Sequence, residues 1–168
     1  MTVETPVGWE PCQVSVSPNG VIWILAWNGQ LLARSGVTWD NESGTGWLEV
    51  PPPFQGLSFS HISVGINCAW AVTRDNEVWL RRCIDANILG SLWTAMVGKM
   101  NLVFTGSDGQ VCGLLIQDQK LYLRTGIKAE ETGGQVWKML KSLNDITLTW
   151  LAFDCKGFLL FFFHSTQV

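Results

Sequence analysis

Residues 23–37 read WILAWNGQLLARSGV, residues 70–84 read WAVTRDNEVWLRRCI, and residues 113–127 read GLLIQDQKLYLRTGI. Laid over one another without gaps, at spacings of 47 and 43, they bring Arg34, Arg81 and Arg124 into one column. Val37, Ile84 and Ile127 form another column, and the turn pairs Asn28-Gly29, Asp75-Asn76 and Asp118-Gln119 a third. The same alignment sets Gly113 opposite Trp23 and Trp70. Within a copy the period is two: Trp70 and Val72 alternate with Ala71 and Thr73, Val78 and Leu80 with Trp79 and Arg81. That is strand patterning, and two such runs joined by a tight Asn/Asp turn form a hairpin.

The repeat extends beyond the hairpin. Each copy reaches a Trp followed three positions later by an apolar residue: Trp47 with Val50, Trp93 with Met96, Trp137 with Leu140. Ahead of two copies stands a short alternating strand, Val14-Ser15-Val16-Ser17 and Ile62-Ser63-Val64-Gly65, and the third has the looser Leu102-Val103-Phe104. Four short strands in a unit of about 40–47 residues are the signature of a propeller blade, and the helical period is absent. The expected architecture is all-β, a partial β-propeller. A lead-in at 1–13 precedes blades at approximately 14–60, 61–101 and 102–145, and an incomplete fourth repeat covers 146–168. In that last unit Leu160 takes the position of the repeated Arg and no closing Trp follows. Pro51-Pro52-Pro53 falls between two units and reads as a stiff corner.

Composition narrows the function classes. Of 168 residues 47% are hydrophobic and 15% charged, with ten Trp and eight Phe, so the chain packs. A net charge of −3, with Arg81-Arg82 the one basic pair, offers no footprint for nucleic acid or an anionic membrane. The longest apolar run, Phe158–Phe163, is far short of the ~20 residues of a membrane helix and reads as a buried strand. Five Cys without a CxxC pair, and a start lacking a basic region followed by an apolar run, fit a reducing compartment. The expected location is cytoplasmic.

Strand, turn, Arg-x-Gly-Val/Ile, a Gly-bearing loop and a Trp-x-x-Val strand together resemble the tectonin β-propeller repeat. The pattern is carried by Leu32–Val37 with Gly46–Val50, by His61–Gly65 with Trp70–Val72, and by Leu123–Ile127 with Gly134 and Trp137. Cys83, where the other copies have Gly36 and Gly126, departs from it. Among intracellular proteins the chain is most similar to the tectonin β-propeller repeat-containing family, large adaptors associated with autophagy and with export from the endoplasmic reticulum. The resemblance implies protein partners from that machinery. A complete propeller of the family has more blades, so an open fan is expected to expose sheet faces that invite partners or self-association.

Few residues suggest chemistry, and none is assigned a catalytic, cofactor or metal role. His61 opens a repeat strand and has no specified partner, and His164 lies in the last five residues. Cys68 and Cys83, the nearest Cys pair, lack zinc spacing and are expected to be small buried residues. Gly106-Ser107-Asp108-Gly109 lacks both the nucleophile elbow and a phosphate-loop continuation, and reads as a turn. Asp40-Asn41-Glu42-Ser43-Gly44 lacks the closing Glu of a calcium loop, and its Asn41-Glu42-Ser43 sequon matters only in a secreted chain. Trp47-Leu48-Glu49-Val50 has the aromatic-x-x-aliphatic form by which autophagy adaptors add a strand to ubiquitin-like proteins, yet Trp47 recurs as a packing residue. The expectation is a non-catalytic interaction scaffold. The alternative is a sugar-binding lectin, for which the Trp content is suitable but a leader and paired Cys are missing.

Overall fold

The computed structural model describes residues 5–117 and 120–140, together with the backbone of 147–153 and 159–164. Three four-stranded antiparallel sheets follow one another. The first holds β1 Pro11–Val16, β2 Ile22–Ala26, β3 Leu31–Ser35 and β4 Gly46–Val50. The second holds β5 Phe59–Gly65, β6 Cys68–Thr73, β7 Glu77–Arg82 and β8 Trp93–Lys99. The third holds β9 Leu102–Thr105, β10 Val111–Leu115, β11 Lys120–Thr125 and β12 Val136–Met139. A two-stranded sheet of β13 Thr147–Phe153 and β14 Leu159–His164 completes the described strands. Strands pair in chain order, so each sheet is a meander, and β5 lies beside both β1 and β9. This is the expected partial propeller of three full blades. β1 and β5 begin a few residues ahead of positions 14 and 61.

Packing between blades explains the apolar excess. Every residue of β6 is buried, because the middle blade is covered on both faces. One core cluster joins Trp23, Leu25 and Leu31 of the first blade to Ile62, Ala71 and Ile84 of the second. Another joins Trp70, Val72 and Leu80 to Met100, in the link from β8 to β9, and to Val103 and Val111 of the third blade.

Register corrects the ungapped alignment. Ser15 pairs with Trp23, Ser63 with Trp70, and Phe104 with Cys112. Cys112, not Gly113, therefore stands where the other blades carry Trp. The cause is the β10–β11 hairpin: Leu114 pairs with Leu121 around residues 115–120, whereas Val72 pairs with Val78 around residues 73–77. One extra residue shifts the first strand against the second. Gly113 takes the place of Ala71 instead, and a Cβ there would sit 2.6 Å from the Met100 sulfur, which fills the gap between blades.

Cys83 corrects a second expectation. It is exposed rather than buried, and its φ of 62° matches Gly36 at 69° and Gly126 at 74°. The blade turns through a left-handed residue after its third strand, and the second blade does so without the glycine that makes this conformation cheap.

Within each blade the repeated Arg lies over the closing Trp. The guanidinium carbons of Arg34, Arg81 and Arg124 are 5.0, 5.3 and 5.2 Å from the ring centres of Trp47, Trp93 and Trp137. Each Nε also donates to a carbonyl of the intervening loop, Ser43, Leu89 and Gly133 respectively.

Between blades a second set of contacts recurs. The Gln13 amide clasps the main chain of Ile62, donating to its carbonyl at 2.8 Å and accepting from its N–H at 3.0 Å, while Ser15 Oγ accepts the Val64 N–H at 2.8 Å. One blade on, His61 Nδ1 accepts the Val103 N–H at 3.4 Å and Ser63 Oγ accepts the Thr105 N–H at 2.9 Å. Trp23 meets Trp93 edge-on at 6.2 Å, and Trp70 meets Trp137 at 5.8 Å. The polyproline corner serves the same junction: the Pro51 carbonyl accepts from Trp93 Nε1 at 2.9 Å and Arg81 Nη1 at 3.1 Å. On the far face of the third blade the clasp positions are Leu102 and Phe104 and the Trp position is Cys112. These join Leu114 and Leu121 in an apolar cluster, and β13 runs beside β9.

Candidate interaction cleft

Three loops meet where the second and third blades splay apart. The β5–β6 turn brings Ile66 and Asn67, the β9–β10 turn brings Asp108, Gly109 and Gln110, and the β11–β12 loop brings Ile127, Lys128, Ala129 and Thr132. They enclose a cleft of about 470 Å³ with Cys68 at its floor.

Local sequence builds each wall. Asn67 takes a φ of 50°, a left-handed position that Asn tolerates, and its Oδ1 accepts the Asp85 N–H at 3.3 Å. Gly106–Gly109 is the expected turn: the Gly109 N–H donates to the Gly106 carbonyl at 3.0 Å, and Asp108 Oδ1 accepts the Gln110 N–H at 3.0 Å. The third wall is pinned by a Lys128–Glu131 bridge and by the ion pair of Glu131 with Arg82 at 2.8 Å, which crosses from blade to blade. The Arg82 hydrogen bond holds the Glu131 carboxyl below the usual carboxylate range.

At the preceding junction the corresponding space is bridged: Asn19 Nδ2 of the first blade donates to Asp85 Oδ2 of the second at 2.7 Å. Trp23 Nε1 also reaches the Ile88 carbonyl there, at 2.9 Å. The difference lies in loop side chains and in this contact of Trp23 from β2. No sequence signal marked this cleft, because its walls come from segments on which the repeats disagree.

The cleft suits recognition better than bond chemistry. Burial pushes the Cys68 thiol up to about 11, so it is a neutral thiol at physiological pH. His61 lies outside the cleft, buried in the junction against Phe104, with its pKa lowered to about 3 by desolvation. Among the described residues no cluster of three His, Cys, Asp or Glu is arranged to hold a metal ion, and no helix is long and apolar enough to cross a membrane.

The other sequence candidates fall elsewhere. Trp47-Leu48-Glu49-Val50 is β4, the outer strand of its blade: Trp47 lies beneath Arg34 and Val50 is only 1% exposed, so both anchors of the aromatic-x-x-aliphatic form are engaged in packing. Asn41 is tied into its own loop by a bridge to Thr38. His164, Cys155 and the turn pair Asp118-Gln119 carry side chains outside the described residues.

Known proteins with these features agree on the fold. The sequence profile of the Tectonin domain matches residues 53–154. A tectonin beta-propeller repeat-containing protein of Drosophila melanogaster is 34% identical over 157 residues, covering 88% of this chain and 12% of the relative. Tectonin beta-propeller repeat-containing protein 1 of Mus musculus is 39% identical over 153 residues, covering 64% and 13%. The chain thus spans about an eighth of the length of these relatives. Among solved structures, human WBSCR16 superposes with a TM-score of 0.61 at 14% identity, covering 89% of this chain and 44% of that one. The virginiamycin B lyase of Staphylococcus aureus gives 0.60 at 12% identity, with 94% and 50% covered. Prp20p of Saccharomyces cerevisiae, a protein studied for binding to Gsp1p and histones, gives 0.58 at 14%, with 85% and 41% covered. These neighbours share the propeller fold, and with the matching profile and the sequence relatives the assignment is direct: the chain belongs to the tectonin family of β-propeller repeats.

Proposed function

We propose that this chain is a non-catalytic protein-interaction scaffold, an adaptor module working in the cytoplasm in autophagy or in traffic out of the endoplasmic reticulum. The observation that carries the reading is the contrast between the two inter-blade spaces. One is filled by the Asn19–Asp85 and Trp23–Ile88 contacts, and the other, with Arg82 and Glu131 paired across it, keeps a cleft of about 470 Å³ framed by loops that differ between repeats. Propellers present such variable loops to partners on a rigid sheet frame. The cleft offers apolar surface with a few polar groups, Asn67, Gln110 and Lys128, to fix orientation.

The test is capture from cytosol by the full chain beside an Ala129→Trp variant, read by quantitative mass spectrometry. Tryptophan at this place is compatible with the loop, since Trp39 holds the equivalent position in the first blade. Enrichment of autophagy or coat proteins by the native chain and its loss in the variant support the reading. Retention only on a glycan matrix replaces it with the lectin alternative, and capture unchanged by the variant moves the contact off the cleft.

A further inference from the structure

Within this molecule a side-chain amide already reads an extended strand by its main chain: Gln13 donates to the Ile62 carbonyl and accepts from the Ile62 N–H. The cleft between the second and third blades presents the same group. Gln110 is exposed on the β9–β10 wall, and among the described residues its side-chain amide has no partner. Asn67, on the wall from the second blade, uses its Oδ1 for the Asp85 N–H and keeps its Nδ2 as a donor. The floor and sides between them are aliphatic, Ile66, Cys68 and Ile127, and no aromatic ring lines the space. Sugars stack on flat ring faces, so this lining suits an aliphatic side chain rather than a glycan. The rim carries one charge of each sign. Asp108 stands on the β9–β10 turn, by the inner strands, and Lys128 on the β11–β12 loop, by the outer ones. Among the described residues neither is in an ion pair, since Glu131, close to Lys128 in its loop, pairs with Arg82.

Building on the reading of this cleft as an interaction site, we infer that its ligand is a short extended peptide segment in which one aliphatic residue stands between a basic and an acidic one. The aliphatic side chain rests on Cys68 between Ile66 and Ile127. The Gln110 amide takes the segment's main chain as Gln13 takes that of Ile62, and the flanking charges reach Asp108 and Lys128. Charge complementarity orients the segment, with its basic residue toward the inner strands and its acidic residue toward the outer ones. A rim with one charge of each sign does not select a polyanion or an anionic lipid surface. About 470 Å³ holds about three residues of a peptide and not the face of a folded domain. Each exposed contact of this kind is worth little alone, so recognition requires the aliphatic, amide and charged groups together.

The test titrates the full chain, isotopically labelled, with the blocked peptide acetyl-Ser-Lys-Val-Glu-Ser-amide and follows backbone amide shifts by nuclear magnetic resonance. Saturable shifts are expected at the amides of Asn67, Gly109, Gln110 and Lys128. Gln110→Leu weakens binding about fivefold, the loss of a neutral hydrogen-bonding group. Lys128→Glu weakens it about tenfold at low salt and transfers the preference to a peptide with Lys in place of Glu. Both side chains are exposed, so neither change disturbs the blade. The inference is overturned by the absence of saturable shifts at these amides, by equal binding of a peptide with Asp in place of Val, or by a charge preference that Lys128→Glu leaves unchanged. Capture with the Ala129→Trp variant separates this result from the adaptor reading. Capture abolished by that variant while the peptide fails to bind overturns the peptide ligand alone, whereas unchanged capture with the peptide also failing overturns both.

Discussion

Arg81 and Trp93 converge on a single acceptor, the carbonyl of Pro51, which belongs to the preceding blade. The guanidinium thereby couples its own sheet to its neighbour: it lies over the Trp93 ring, donates to Leu89 within the blade, and reaches Pro51 across the junction. Among the described residues Arg34 makes the internal set alone, and it is more exposed. Arg81→Met therefore removes the donor to the half-buried Leu89 carbonyl, one of the two donors at Pro51 and the contact with the Trp93 ring, and lowers stability by ~2 kcal/mol, whereas Arg34→Met costs about 1 kcal/mol. Urea unfolding midpoints of the two variants give the comparison. Arg82→Ala, next in sequence but in an exposed ion pair with Glu131, leaves the midpoint where it was.

Cys83→Gly stabilises the fold. The residue is exposed, so no core contact is lost, and the left-handed φ of 62° is relieved. The gain is about 1 kcal/mol, seen as a raised thermal midpoint. Cys83→Val, with a branched side chain in the same conformation, moves the midpoint the other way.

His61 makes the second junction sensitive to acid. Its folded pKa, about 3, lies below its unfolded value, so the unfolded chain binds the extra proton as pH falls. The stabilising contribution is complete above roughly pH 6.5 and is lost between there and the folded value, at up to about 1.4 kcal/mol per pH unit. His61→Gln places in the second blade the residue that performs the same clasp from Gln13 in the first. It should keep stability at pH 7.5 and flatten the slope between pH 6 and 4 relative to the native chain.

Thiol labelling should sort four of the cysteines. Cys12 and Cys83 are exposed and react with an aromatic disulfide in the native state, whereas Cys68 and Cys112 are buried, with pKa values pushed up to about 11 and about 12 by desolvation. Peptide mapping of the labelled protein should find those two modified only after denaturant is added. Early modification of Cys112 indicates local opening of the third blade.

Most of the architecture could be read from recurrence, because the Arg, closing Trp and turn residues are each bound to a fixed place in the blade. The reading failed where length changed inside a repeat. The extra residue in the β10–β11 hairpin moved Cys112 into the Trp position, and an ungapped comparison anchored on Arg124 reports Gly113 there. It failed again at Cys83, since a backbone conformation is invisible when the residue that usually reveals it is replaced. The clasps were also missed. Val14-Ser15-Val16-Ser17 and Ile62-Ser63-Val64-Gly65 read only as short alternating strands, yet the polar side chains of Gln13, Ser15, His61 and Ser63 point at the neighbouring blade's main chain. The signal was present in the looser third copy: Leu102-Val103-Phe104 lacks both polar groups, and Leu102 and Phe104 join an apolar cluster instead. The cleft had no sequence signature, being set by loops whose side chains differ from repeat to repeat.

The clasps fall on N–H groups of Ile62, Val64, Val103 and Thr105, atoms that every residue but proline possesses. At these clasps selection therefore acts on the donor strand, while on the receiving blade it acts on the closing Trp and its Arg. A receiving strand can drift through apolar substitutions without losing its place, while a single change at Gln13 or Ser63 alters what may stand next. Gene duplication in such an array has a built-in polarity: a newly copied unit is accepted behind any intact donor, and a unit that loses its donor residues becomes a terminus for that kind of joint.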